Sequence, residues 1–323
     1  MKTALITGAS GQDGSYLAEL LLSRGYDVHG LVRRNSVSEH QESRLAPIGE
    51  SITTHYADMS DEGGLWRVLE RVNPDEIYNL AAQSHVRVSF EIPKFTAVTN
   101  AIGPLNLLEV LRTSGSKAKF YQASSSEMFG DSVDEDGFQR ETTPMHPVSP
   151  YGCAKLFGYH ITRNYRKSYG LFASNGILFN HESPRRGSNF VTSKVVKSAV
   201  EIKLGLRKDL AMGNLDSYRD WGHSKDYVRA MHLILQQDTP GDWVVSTGET
   251  RSVRDMLDFV FSYLNLDYHD YVKQEERYLR PEELKYLKGD SSKIRQEMGW
   301  SPEVTFEELM TEMVEDWRKK LSS

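Results

Sequence analysis

The first half of the chain alternates short apolar runs with longer amphipathic stretches. Ala4-Leu5-Ile6 predicts a buried strand, a glycine turn follows, and Tyr16 to Leu22 predicts a helix that Gly25 ends. Val28–Val32 reads as the next strand, and residues 51–56, 76–80 and 118–123 as further ones. Helices are predicted over 62–71 and 105–113. Apolar strands separated by helices imply a parallel sheet covered on both faces. The expected fold class is α/β, a doubly wound parallel sheet with a smaller C-terminal lobe. Past Leu178 the pattern loosens, with helices predicted near 190–203, 226–236, 253–264 and 306–319. Trp243–Ser246 predicts a strand that returns to the main sheet.

Composition narrows the classes. The 323 residues suit about two domains, and the formal charge of -6 argues against a nucleic-acid partner held by a broad basic surface. The single cysteine, Cys153, excludes an intrachain disulfide framework and a multi-cysteine metal site, and it is expected to be a small buried filler. No metal is expected. No run approaches the about 20 apolar residues of a membrane span, and the short apolar N-terminus leads straight into glycine. The expected setting is cytoplasmic, with no membrane partner.

Thr7 to Gly14 joins the first strand to the first helix, and its glycines at 8, 11 and 14 follow G-x-x-G-x-x-G. Glycine permits the tight turn and lets the backbone approach a diphosphate at the helix N-terminus. Gly8, Ser10, Gly11, Gln12 and Asp13 are therefore candidate cofactor ligands. After the second strand stands Arg33-Arg34-Asn35-Ser36, with no carboxylate until Glu39. Guanidiniums there suit a ribose 2′-phosphate, so NADP is expected over NAD. Asp58 and Met59, after the third strand, are placed beside the adenine. Leu80, Ala81, Ala82, Gln83 and Ser84, after the fourth, are placed along the cofactor.

Tyr151 and Lys155 form a Tyr-x-x-x-Lys pair on one predicted helical face, opened by Ser149-Pro150. An ammonium beside a phenol favours the phenolate, which would make Tyr151 a general base and depress its pKa. Ser125, Ser126 and Glu127 follow the fifth strand, at the carboxyl end where such sheets bind ligands. A hydroxyl beside a tyrosine base suits alcohol oxidation. Glu127 adds a carboxylate that alcohol oxidation does not need.

These segments resemble the extended short-chain dehydrogenase/reductase family and, within it, the GDP-mannose 4,6-dehydratases. The likeness runs along nearly the whole chain. Its narrowest motifs are Asn180-His181-Glu182-Ser183-Pro184-Arg185-Arg186-Gly187 and Arg219-Asp220-Trp221-Gly222. It implies an NADP-binding Rossmann domain over 1–178, with a return strand near 243–247, and a mainly substrate-binding, interleaved lobe over 179–323. It implies NADP-dependent dehydration of GDP-mannose to GDP-4-keto-6-deoxymannose by hydride transfer from C4 to C6. Another nucleotide-sugar 4-epimerase, dehydratase or reductase is the alternative. Ser125, Glu127, Tyr151 and Lys155 are the implied catalytic set, and His181 and Arg186 are placed beside the cofactor. Ser84, Ser126, Glu127, Asn180, Lys194, Arg219, Arg280 and Glu283 are placed on the GDP-hexose. The family usually has threonine where this chain has Ser125. Residues 131–140 read as an acidic surface loop. The long polar segment Arg34–Arg44 is expected near the interface of a homodimer or homotetramer.

Overall fold

The computed structural model describes residues 1–34 and 44–322. Asn35 and Ser36, with most of the Arg34–Arg44 segment, lie outside the described residues. The N-terminal half runs β1 (Thr3–Thr7), α1 (Gln12–Ser23), β2 (Asp27–Val32), β3 (Thr53–Tyr56), α2 (Glu62–Val72) and β4 (Glu76–Asn79). It continues through α3 (Val86–Glu91), α4 (Pro93–Ala97), α5 (Gly103–Ser114), β5 (Lys119–Ser125), α6 (Pro150–Tyr169) and β6 (Ala173–Leu178).

The C-terminal half adds β7 (Asn180–Glu182), α7 (Val191–Lys203), β8 (Leu210–Met212), β9 (Tyr218–Arg219), β10 (Trp221–His223) and α8 (Ser224–Gln236). Then come β11 (Asp242–Val245), β12 (Arg251–Ser252), α9 (Val253–Tyr263), β13 (Val272–Gln274), α10 (Ser292–Met298) and α11 (Phe306–Ser322).

Seven strands form one parallel sheet in the order β11-β6-β5-β4-β1-β2-β3. The chain steps outward from β1 to β3, then restarts on the other side with β4, so the strand order reverses between β1 and β4. Loops leaving those two strands diverge there and open a crevice at their carboxyl ends. Leu17 and Leu21 of α1 pack with Tyr227, Met231 and Ile234 of α8 on one face. Leu65 and Leu69 of α2 pack with Leu107 and Leu111 of α5 on the other. A separate core joins α7, α9 and α11 around Val196, Leu257, Phe261 and Met310.

Local chemistry sets the helix ends that border the crevice. Ser149 caps α6 by accepting from the Gly152 N–H at 3.0 Å, with Pro150 in the first turn. Gly170 then ends the helix at φ +69°. Cys153 is exposed on α6 rather than buried, because its position faces away from the side that carries Tyr151, Ala154 and Lys155 into the core. The 131–140 segment is an acidic surface loop, with Asp131, Glu135 and Asp136 exposed. Arg140 binds Asp134 at 2.9 Å, Asp136 at 2.6 Å and Asp290 at 2.8 Å, and Gln139 is fully buried. One guanidinium thus ties two of its carboxylates to Asp290.

Candidate active site

The glycine turn is built as its spacing demands. Gly8 adopts φ +68°, and a Cβ there would stand 3.0 Å from the Ala81 backbone nitrogen. Thr7 Oγ1 accepts from the N–H groups of both Leu80 and Ala81, at 3.1 and 3.0 Å, so the loops after β1 and β4 are pinned together. Gly11 and Gln12 lead into α1, whose first N–H groups face the crevice end of β1. Arg44 closes over this turn, donating to the Ser10 carbonyl at 3.3 Å and to the Arg185 carbonyl at 2.8 Å.

Arg33 and Arg34 are exposed at the end of β2, with the Arg33 guanidinium 5.6 Å from the Phe95 ring centre. Asp58 is held below the ordinary carboxylate range: burial opposes this, but the Ser60 hydroxyl and N–H both donate to it. The Met59 side chain is buried against Gly103. Gln83 is fixed through its backbone by the Asn100 amide, at 2.9 and 2.8 Å.

The turns after β4 and β5 and the start of α6 border a cavity of about 560 Å³. It brings together Ser84, Ser125, Ser126, Glu127, Tyr151, Lys155, Asn180, His181, Arg186, Lys194 and Arg280. Asp13, Leu80 and Ala82 complete the cofactor-loop side. Arg219 and Glu283 are not among its lining residues. Arg219 is buried near Glu127 and Arg280, and Glu283 accepts from the Arg280 N–H at 2.9 Å.

Ser125 occupies the last position of β5, and its hydroxyl caps the following turn by accepting from the Glu127 N–H at 3.2 Å. The same hydroxyl stands close enough to the Tyr151 phenol to favour its ionised form. Glu127 is 8% exposed; its Oε1 lies 3.4 Å from Arg280 Nη1, while its buried Oε2 has no hydrogen-bond partner among the described residues. Lys155 donates to the Ala123 carbonyl at 2.8 Å, and its ammonium lies 5.8 Å from the Tyr151 ring centre.

The electrostatics depart from expectation at Tyr151. Burial pushes the phenol up to about 12, with the Ser125 hydroxyl opposing and the Glu127 charge reinforcing the rise. Lys155 is not among the groups that oppose this rise; burial brings its own ammonium down to about 8, so it still carries charge at neutral pH. Tyr151 therefore needs a further positive charge in the cavity to become a base at neutral pH.

These residues fit a dinucleotide cofactor. Bare backbone turns at a helix N-terminus suit a diphosphate, two arginines at the end of β2 suit a further phosphate, and the cavity ends on a phenol, an ammonium and an unpartnered carboxylate oxygen. Sequence reasoning missed Arg44, Phe190 and Tyr278. The Arg186 guanidinium carbon lies 3.6 Å from the Phe190 ring centre, and the Lys194 ammonium 3.7 Å from that of Tyr278. Isolated aromatics in loops carry no periodic signal that would have revealed them.

A family model described as GDP-mannose 4,6 dehydratase matches residues 5–313. GDP-mannose 4,6 dehydratase 2 of Arabidopsis thaliana is 51% identical over 325 residues, covering 98% of this chain and 86% of the relative. The Homo sapiens GDP-mannose 4,6 dehydratase is 47% identical over 336 residues, covering 96% and 90%. Among solved structures, a UDP-glucose 4-epimerase of Thermus thermophilus in complex with NAD superimposes with a TM-score of 0.85 at 28% identity, covering 98% of this chain and 99% of that one.

Proposed function

The chain belongs to the GDP-mannose 4,6-dehydratase family, so GDP-mannose dehydration is its reaction, and we propose how its own residues carry that reaction out. The cofactor is a nicotinamide dinucleotide, and Arg33 and Arg34 at the end of β2 favour NADP through its 2′-phosphate. When bound, it supplies the hydride acceptor for sugar C4, the donor for C6, and a positive ring charge.

Tyr151 accepts the proton of the sugar 4-hydroxyl, with Ser125 donating to the developing oxyanion. Lys155 orients the ribose and adds cationic charge on the phenol's side. The C4 ketone then acidifies the C5 proton, which Glu127 removes and passes to the departing C6 hydroxyl so that water leaves; Tyr151 returns its proton to C5 as C6 takes the hydride. The elimination follows the oxidation because the carbanion at C5 is stable only beside a carbonyl. The product is GDP-4-keto-6-deoxymannose, and no oxidant is consumed. Ser84 and Ser126 address the sugar. Asn180, Lys194 and Arg280 hold the GDP, with Lys194 and Arg280 taking the diphosphate, and Arg219 and Glu283 stand around Arg280.

The observation that carries this reading is the buried, unpartnered Oε2 of Glu127 in the cavity that also holds Tyr151 and Ser125. An epimerase or reductase has no task for that carboxylate. The test uses GDP-mannose deuterated at C4: the label is expected at C6 of a product that has lost one water. Glu127→Gln is expected to slow dehydration about 10²- to 10⁴-fold, the usual worth of a general base. An unchanged rate in that variant, or solvent hydrogen at C6, would abolish the assignment.

Residues 179–323 supply most of the substrate contacts in this reading, and residues 1–178 most of the cofactor contacts. No described helix is long and apolar enough to cross a membrane, and the lone cysteine suits a cytoplasmic setting. A homodimer or homotetramer is supported by exposed Ile92, Phe95, Ile102 and Phe157. Sedimentation equilibrium would test it.

A further inference from the structure

His181, on β7, has both ring nitrogens engaged. Nδ1 lies 2.7 Å from the Phe179 carbonyl oxygen, and Nε2 lies 2.7 Å from Oδ2 of Asp13. A carbonyl oxygen only accepts, so Nδ1 carries a proton. A carboxylate also only accepts unless it is protonated. Asp13 is not: burial pushes its carboxyl up, but the His181 charge and hydrogen bond, with Arg186, hold it below the ordinary range. Nε2 must then carry a proton as well.

We infer that His181 is a positioning residue held as an imidazolium, and that its ion pair with Asp13 latches β7 onto the cofactor turn, so that dinucleotide retention depends on this one proton. Neutral bonds accompany the charged one. The Gln12 amide donates to the His181 carbonyl at 3.1 Å, and the Ser183 hydroxyl donates to Gln12 Oε1 at 2.8 Å. The first turn of α1 and the start of the 180–187 segment are thus joined at three points.

The charged surroundings come from every side. Asp13 on α1 favours the imidazolium, and Arg186 opposes it. Glu182, next along β7, is committed to Thr192 at 2.6 Å and Arg186 at 2.9 Å. The Tyr227 ring of α8 stacks on the imidazole with centres 4.4 Å apart. Burial disfavours the charge, yet Asp13 and the Phe179 carbonyl raise His181 above the ordinary imidazole value.

The consequence follows from where Asp13 stands. It occupies the first turn of α1, the helix end that faces a diphosphate. An uncompensated carboxylate there repels phosphate, whereas the Asp13–His181 pair presents no net charge. The imidazolium exists below its folded pKa and is lost as pH rises through it. Dinucleotide affinity should therefore fall on the alkaline side. This inference rests on the reading of residues 8–14 as the cofactor turn, and not on the dehydration chemistry.

Two measurements on the full chain decide it. Nitrogen-15 spectra of histidine-labelled protein, with His181 assigned by its loss in His181→Gln, should show both ring nitrogens protonated at neutral pH. A single-proton tautomer there overturns the inference. Calorimetric dissociation constants for NADP should then be compared between the unaltered protein and Asp13→Asn across neutral to alkaline pH. Lys155 titrates in both proteins, so the ratio of the two constants is the quantity read. It should change at least about tenfold, as removal of one compensating charge implies. A constant ratio overturns the latch. Absence of any dinucleotide binding by the unaltered protein would instead sink the cofactor-turn reading, with the spectra still deciding the state of His181.

Discussion

Arg280 Nη1 stands 3.4 Å from Oε1 of Glu127, joining the loop before α10 to the end of β5. Glu283 steadies the arginine from behind, through its backbone N–H at 2.9 Å and its Nε at 4.0 Å. One guanidinium thus faces both the proposed base and the cavity that would take a diphosphate. A carboxylate with one oxygen anchored and the other unpartnered has a fixed direction for proton removal.

Arg280→Gln removes the anchor and a phosphate ligand together. Losing a charged hydrogen bond costs about 1.5–3 kcal/mol, so kcat/KM should fall roughly 10- to 100-fold. The fall should divide between KM, through the diphosphate, and kcat, through Glu127. Steady-state kinetics with GDP-mannose separates the two, and a change confined to KM would show that Arg280 only binds.

Replacing Arg33 and Arg34 by Asp and Ser should invert the cofactor preference. Two charge-assisted contacts to a 2′-phosphate are worth about 1.5–3 kcal/mol each, so NADP should weaken at least about 100-fold. NAD, which offers a hydroxyl there, should bind as before or better. Fluorescence titration with both nucleotides checks this, and equal loss for the two would contradict the 2′-phosphate site.

Gly8→Ala should damage the fold and the cofactor site at once. The φ of +68° disfavours alanine, and the new Cβ would press on the Ala81 backbone at 3.0 Å. Together these should cost about 1–3 kcal/mol, read as a lowered thermal midpoint, with dinucleotide affinity falling further. An unshifted midpoint would mean the turn relaxes freely.

The cofactor half of the site was legible because one device sits in one stretch of chain: an apolar strand, three spaced glycines and an amphipathic helix. The Tyr151/Lys155 spacing was legible for the same reason. β6 was not, since Ala173-Ser174-Asn175-Gly176 interrupts its apolar run. Asn175 instead bonds Asp242 at 2.8 Å and Ser124 at 3.2 Å, and Gly176 leaves room for the Tyr121 ring. The helical pieces from Val86 to Ala97 were also missed, because Pro93 divides them into turns too short for periodicity. The direction of the Tyr151 shift depends on burial by distant segments, which spacing along a helix cannot report.

Lys155 carries a cost that its function requires. It is 5% exposed, and burial is the main cause that brings its ammonium down to about 8 from the ordinary 10.5, with Asp13 opposing. A depressed lysine means that between those pH values the unfolded chain binds the proton and the folded one does not. Stability therefore rises with pH across about 8 to 10.5 as the group sheds its charge, and the cost is fully present below about 8. Lys155→Met removes the buried charge and keeps the aliphatic stem, and the Ala123 carbonyl it donates to keeps the Gln122 side-chain amide at 3.2 Å. The net should be a gain of about 1.5–2.5 kcal/mol at neutral pH, since the full shift would be worth about 3 and the lost hydrogen bond about 0.5–1.5. Turnover should collapse in the same variant. Thermal unfolding at neutral pH and near pH 10, paired with the dehydration assay, checks both: the stability gain should shrink at the higher pH. A variant destabilised equally at both would show that the lysine's contacts outweigh its desolvation.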